Sequence, residues 1–389
     1  MAGAVALAAV LAGCSEEPDP VSAPQGSLID PAAAASVIAD LAVELGEPGP
    51  AEVARWPDYF ETNVEAIGVS DVGIRFLVDD AELSATLAPG QWAGVVDLSW
   101  RFADADRAPA QGEVSMIFSG RGDDLRIVGV GGGGRVAPLW LQTPVEVARG
   151  KHALAVVAGA DAKTRAATYV HQADLGLRAV REVLRPATQG VVIEAPADVA
   201  QLERTLGTDP GSYRGIAAVT TPVDGSTAPG APTHIFLNPA QFGSLAPRGA
   251  QVVITHEVTH VATGAATAVA VPLWLTEGFA DYVALRGSDV PVTRAAAQII
   301  AQVRKNGAPT TLPSDAEFAA RTAKLGASYE AAWMVCTVLA DRGGESALLQ
   351  FHQRVMAGAS VGPTLRKVFG ISEAELVALW GERLLELAG

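Results

Sequence analysis

His256-Glu257-Val258-Thr259-His260, followed by Trp274-Leu275-Thr276-Glu277-Gly278-Phe279-Ala280-Asp281, is the stretch on which the reading of this chain turns. Apolar residues at helical spacing from Ala250 to Ala262 predict a helix, and residues four apart on a helix share a face, about 40° apart around the axis. Both imidazoles can therefore reach one metal ion. Glu257 projects at a neighbouring angle, able to touch a metal-bound water without filling the coordination site, which suits a general base. A second predicted helix, Pro272 to Leu285, carries Glu277 seventeen positions after His260 and Asp281 four positions later on the same face. A carboxylate from that helix completes three protein ligands and leaves a fourth position for water. Structural zinc is more often closed by four Cys or His, and Cys336 has no such setting.

Around this pair of helices the pattern alternates. Ala153 to Val157, Val191 to Glu194, Gly215 to Thr220 and Thr233 to Leu237 read as strands, with a long amphipathic helix from Ala162 to Leu184. Beyond Ala250 the chain is almost wholly helical, through Ala295 to Val303, Ser328 to Leu339, Ser346 to Val355 and Glu373 to Leu387.

The motifs His-Glu-x-x-His and Trp-Leu-x-Glu-Gly-x-Ala resemble those of the gluzincin metallopeptidases, above all the bacterial peptidase MA-like domains related to thermolysin and the zinc aminopeptidases. The likeness covers roughly residues 150 to 389. It implies an α+β fold with a zincin-like, thermolysin-type catalytic domain, a β-containing upper lobe and a helical lower lobe. It implies that His256, His260 and Glu277 bind Zn2+, that Glu257 activates the water, and that Asp281 supports a liganding histidine, His256, through its other ring nitrogen. The substrate is then a peptide or protein. Tyr329 stands where such enzymes often carry a tyrosine that helps stabilise the oxyanion; an aromatic helix anchor is the equal alternative. His234, in the strand before the metal helix, is a second candidate, against a solvent-facing strand histidine. In related enzymes an edge strand at this place holds extended substrate by backbone pairing. A non-catalytic lipoprotein using the same lobe as a binding or scaffold module is the competing function.

Residues 28–147 read as a separate α+β domain. Asp30-Pro31 starts a helix that stops at Gly46. Short β-prone runs follow at Val72 to Val78, Leu83 to Leu87, Gly94 to Phe102, Glu113 to Phe118 and Leu125 to Val130. A helix on a curved sheet is expected, compatible with a nuclear-transport-factor-like cone. Gly131 to Gly134 has no Lys-Ser/Thr pair after it and reads as a turn rather than a phosphate loop. Phe236 and Trp274 read as core, and His152, His171 and His352 carry no assigned role.

With 43 acidic against 28 basic residues, a net charge of −15 repels phosphate backbones and excludes a nucleic-acid partner. Two cysteines exclude a disulfide framework, and Cys336 in an apolar run reads as a buried thiol. Met1 to Gly13 is an apolar signal-like run, and Leu11-Ala12-Gly13-Cys14 resembles the lipobox of bacterial lipoproteins. The resemblance implies a lipid on Cys14, a polar tether over 15–27 and a place on the extracytoplasmic face of the cell membrane. No Lys or Arg precedes the apolar run, a departure from that pattern, and a secreted protein is the alternative. Cells fed radioactive fatty acid should label the wild type and not Cys14→Ser; an unlabelled wild type would remove the anchor.

Overall fold

The computed structural model describes residues 29–46, 55–184, 190–228, 230–318 and 325–389. The signal-like run, Cys14 and the tether over 15–27 lie outside the described residues. Those residues form an α+β fold with fourteen α-helices and two sheets. None of the described helices is long and apolar enough to cross a membrane.

The first sheet is an antiparallel meander of β1 (Val69–Asp80), β2 (Gln91–Phe102), β3 (Ala110–Ser119) and β4 (Arg126–Val130), in that spatial order. The pairing of β1 with β2 shifts register between Ser70 and Gly73, where Asp71 takes φ +54°, and again between Phe76 and Val78. Such bulges bend a sheet. Helices Pro31–Gly46 and Tyr59–Ile67 supply Val37, Leu41 and Phe60 to a core shared with Leu98, Trp100, Val114 and Met116. The strand expected over Leu83 to Leu87 does not form. Asp80 accepts a hydrogen bond from the Leu83 N–H at 2.9 Å and caps a short helix, Ala81–Ser84, so the chain turns here before β2. The glycines from Gly131 to Gly134 all have positive φ and make the turn after β4.

The second sheet is mixed, in the order β5 (Val145–Arg149), β6 (Ala153–Ala158), β7 (Val191–Ala195), β9 (Thr233–Leu237), β8 (Ala218–Pro222). The inner strands β6, β7 and β9 are parallel, and β5 and β8 run antiparallel at the edges. β5 straddles the boundary expected near residues 147–150 and pairs with β6, so it belongs to this sheet. Both faces are covered. Ala153, Ala155 and Val157 of β6 point into the helical core, whereas Leu154, Val156 and Ala158 join the core of the first sheet. Burial on both sides is why β6 reads as an unbroken apolar run rather than an alternation.

The helical part comprises Pro247–Thr263, Leu273–Leu285, Ala297–Asn306, Leu325–Gly343, Glu345–Met356, Val361–Phe369 and Glu373–Ala388 among its longer members. Glu330 accepts from the backbone N–H groups of Gln298 and Ile299 at 2.7 and 2.8 Å, tying the start of one helix to the middle of another. A capping box of Ser372 and Glu375 opens the last helix.

His234 is neither solvent-facing nor at the metal helix. β9 is an inner strand, and the imidazole is only 1% exposed. Its Nδ1 lies 2.7 Å from Glu194 Oε1 on β7, and its Nε2 lies 3.0 Å from Asp106 Oδ1 in the loop joining β2 to β3. Only an imidazolium can donate to both carboxylates. Burial opposes that charge, but Asp106 and Glu194 outweigh it and push the pKa up to about 9 from 6.5. Because the folded value is raised, the stabilisation is complete below about pH 6.5 and is lost as pH rises through about 9. Melting curves from pH 6 to 9.5 should therefore show the wild type losing on the order of 3 kcal/mol relative to His234→Gln. Parallel pH dependence in the two proteins would contradict this account of the buried triad.

Candidate metal centre

Helix Pro247–Thr263 starts with proline in its first turn, where no N–H is needed, and stops at Gly264. Gly264 takes φ +69°, and its N–H returns to the carbonyls of His260 and Val261. Ile254 and Val258 anchor the helix in the core. Gly176 of helix Ala162–Val183 lets it approach: a Cβ there would lie 3.3 Å from Thr255 Cα. His256 and His260, one turn apart, thus emerge from a fixed rod.

Helix Leu273–Leu285 brings the third group. Its Leu275, Phe279 and Val283 are buried, and Gly278 rests on the backbone of helix Leu325–Gly343. A Cβ on Gly278 would sit 2.3 Å from the Ala332 carbonyl oxygen. The residue beside Glu277 therefore has to lack a side chain, which explains the Glu-Gly pair in the motif.

The side chains converge tightly. His256 Nε2 and His260 Nε2 are 2.9 Å apart, and Glu277 Oε2 lies 3.1 Å from the first and 3.2 Å from the second. Asp281 Oδ1 lies 2.8 Å from His256 Nδ1. A carboxylate at Asp281 accepts from Nδ1, which leaves Nε2 as the ring nitrogen that faces the triangle and can bind a cation in place of its proton. Zinc bonds of about 2.0–2.1 Å at tetrahedral angles place ligand atoms roughly 3.3 Å apart. The observed triangle has nearly that edge, and its donor set fits a Zn2+ ion with one side open.

Electrostatics favour a cation. Glu257, Glu277 and Asp281 bring three carboxylates together, and among the described residues no Lys or Arg lines the adjoining cavity. Burial works against charge on His256, but Asp281 and Glu277 hold its pKa well above the ordinary imidazole range. Burial likewise opposes ionisation of Glu277, but His260 and His256 overcome it and keep this carboxyl far below its usual range.

The cavity holds about 320 Å³ and is walled by Gly215 to Ala218 on one side and Val252, Val253 and Tyr329 on others. Glu257 faces it, with Oε2 accepting a hydrogen bond from Thr220 Oγ1 at 2.6 Å. The Tyr329 ring centroid is 6.0 Å from that of His256 and meets Phe318 edge-on at 5.5 Å. Tyr329 thus both borders the cavity and packs as an anchor. Burial, with Glu277 and Glu257 nearby, raises its pKa and keeps the phenol protonated.

Other polar candidates lie elsewhere. His352 stacks on Phe279 with centroids 4.0 Å apart, and burial pushes its pKa down to about 3, so it is a neutral core residue. Cys336 is buried, and burial raises its thiol pKa. Thr220 and the edge strand β8 are the elements that sequence reading did not attach to the site. A threonine in a β-prone run gives no local sign of its partner.

Gly278→Ala should cost about 1–3 kcal/mol by forcing two packed helices apart, and should weaken zinc binding because Glu277 moves with the displaced helix. A variant with wild-type melting temperature and zinc affinity would show that the close approach to Ala332 is dispensable.

No protein-family model matches the chain, and no curated protein matches it. Among solved structures, one similar chain is native yeast LTA4 hydrolase, 12% identical, over 79% of this chain and 44% of that one, with a TM-score of 0.39. The chain spans less than half the length of that protein. At that score the likeness carries no argument, and the functional reading rests on the site itself.

Proposed function

We propose that the protein is a zinc-dependent peptidase that hydrolyses peptide bonds in a peptide or protein substrate, held outside the cytoplasm by a lipid on Cys14. The observation that carries the reading is the triangle of His256, His260 and Glu277 with sides of 2.9, 3.1 and 3.2 Å, set beside a cavity that Glu257 faces. A Zn2+ ion held by those residues would supply Lewis-acid polarisation of the substrate carbonyl and lower the pKa of water at neutral pH.

The chain's own residues supply the rest. Glu257 takes a proton from a water in the cavity and hands it to the leaving amine. Asp281 keeps His256 in the tautomer that presents Nε2 to the ion. The Tyr329 hydroxyl, kept protonated, is the donor nearest in kind to what the charged oxygen of the attacked carbonyl requires. β8 is the sheet edge beside the cavity, in place of the strand carrying His234, and offers its outer backbone groups to an extended substrate.

Metal analysis of the purified wild type, Glu257→Ala and Glu277→Ala, followed by incubation with a mixed peptide library, tests the proposal. The expected result is one zinc per chain in the wild type with chelator-sensitive cleavage, zinc kept but cleavage abolished in Glu257→Ala, and zinc lost or weakened in Glu277→Ala. Stoichiometric zinc without cleavage would favour the binding-module reading, and a wild type without zinc would overturn the zinc peptidase.

A further inference from the structure

The carboxylate of Glu257 is gripped by the strand packed beside the metal helix. Thr220, on β8, donates its hydroxyl to Glu257 Oε2 at 2.6 Å, and the same Oγ1 lies 3.3 Å from the Glu257 carbonyl oxygen. The shorter contact takes the single hydroxyl proton, and a neutral donor on a charged acceptor makes one of the stronger hydrogen bonds available to a side chain. Among the described residues, Thr220 is the only side chain that donates to this carboxylate. With Oε2 occupied, Oε1 is left as the oxygen available to the cavity.

The strand that carries Thr220 is itself fixed at both ends. Within β8, Ala218 faces Leu237 and Thr220 faces Ile235 of β9. Just before it, the Ala217 carbonyl accepts from the Asn238 N–H at 2.9 Å, and the Asn238 side chain donates to the Tyr213 carbonyl at 2.9 Å. Just after it, the Asp224 carboxylate accepts from the Gln111 N–H of β3 at 3.2 Å, which ties the exit of the strand to the first sheet. Thr221, next to Thr220, lies opposite His234, whose imidazole is held between Glu194 and Asp106. A long, rotamer-rich glutamate side chain is thus bonded to a point on a strand that two sheets immobilise.

We propose that Thr220 is a positioning residue for Glu257: its hydroxyl selects the rotamer that occupies Oε2 and leaves Oε1 to meet the water. The proposal rests on the peptidase reading for the purpose of that alignment, whereas the hydrogen bond between Thr220 and Glu257 does not. A base whose oxygen drifts by about an ångström loses rate rather than substrate affinity. The role therefore predicts a fall in kcat without a matching rise in KM.

Two measurements test it on the full chain. Valine matches threonine in shape, favours strands and lacks the hydroxyl, so Thr220→Val should keep its zinc, lower kcat about tenfold and leave KM within about twofold, while Thr220→Ser should recover most of the rate. Wild-type kcat in Thr220→Val, or a loss that serine does not restore, would overturn the proposal. The second measurement needs no turnover. Melting temperatures of Thr220→Val, Glu257→Ala and the double variant form a cycle in which the drop caused by Thr220→Val should at least halve once Glu257 is gone. Equal drops in both backgrounds would show that the hydroxyl does not hold Glu257. If the wild type cleaves nothing, the peptidase reading fails, and the melting cycle still decides whether Thr220 grips Glu257.

Discussion

Two imidazole nitrogens and a carboxylate oxygen are aimed at one point from within about 3 Å of each other, and each is an atom that can bind a cation. Such an arrangement is repulsive unless a cation or shared protons fill the middle. The protein holds it by making the supports stiff. One rod carries both histidines, capped by Gly264 and pressed against Gly176; a second carries Glu277 and Asp281 and is seated on Ala332 through Gly278. Side-chain freedom is removed next, by Asp281 on the ring of His256 and by Thr220 on Glu257. The acidic surroundings that make the triangle costly when empty of charge are the same ones that would draw a divalent ion into it.

The first sheet is part of this support. It covers one face of the second sheet through Leu154, Val156, Val192 and Phe236, and it is tied to that sheet by two polar links, Asp106 to His234 and Gln111 to Asp224. Both links end on or beside the hairpin of β8 and β9, which packs against the metal helix and contributes Ala218 to the wall of the cavity. Burial of the inner strands on both faces is therefore a mechanical matter as well as a thermodynamic one: the wall has packed matter on either side.

What could be read from the sequence follows the range of the interactions involved. His256 and His260 share a face because of helical geometry alone, and Glu277 and Asp281 share one for the same reason, so their grouping needed only local spacing. The ends of β9 were also plain, since Thr233 to Leu237 is a β-prone run bounded by Pro232 and Asn238. Whether that strand is inner or outer was not, because the answer depends on pairing with β7 some forty residues earlier and with β8. The fate of His234 turned on the same point, and its second partner, Asp106, is 128 positions away. Leu83 to Leu87 misread as a strand because one aspartate, Asp80, took the Leu83 N–H and started a helical turn. Helix Tyr59–Ile67 went unread although Gly68 supplies a left-handed stop, since its buried face includes Asn63, a polar residue that donates to the carbonyls of Trp140 and Thr143.

The span of the contact between Asp106 and His234 also bears on how the chain comes to be folded. Synthesis delivers β1 to β4 long before β9 exists, so Asp106 and the apolar face that will receive Phe236 must wait for more than a hundred further residues. Closing so distant a contact is slow compared with forming local helices. For that interval the early half of the chain presents strand edges and an uncovered hydrophobic surface, the features most prone to mispairing. The buried triad thus cannot close until β9 has been made.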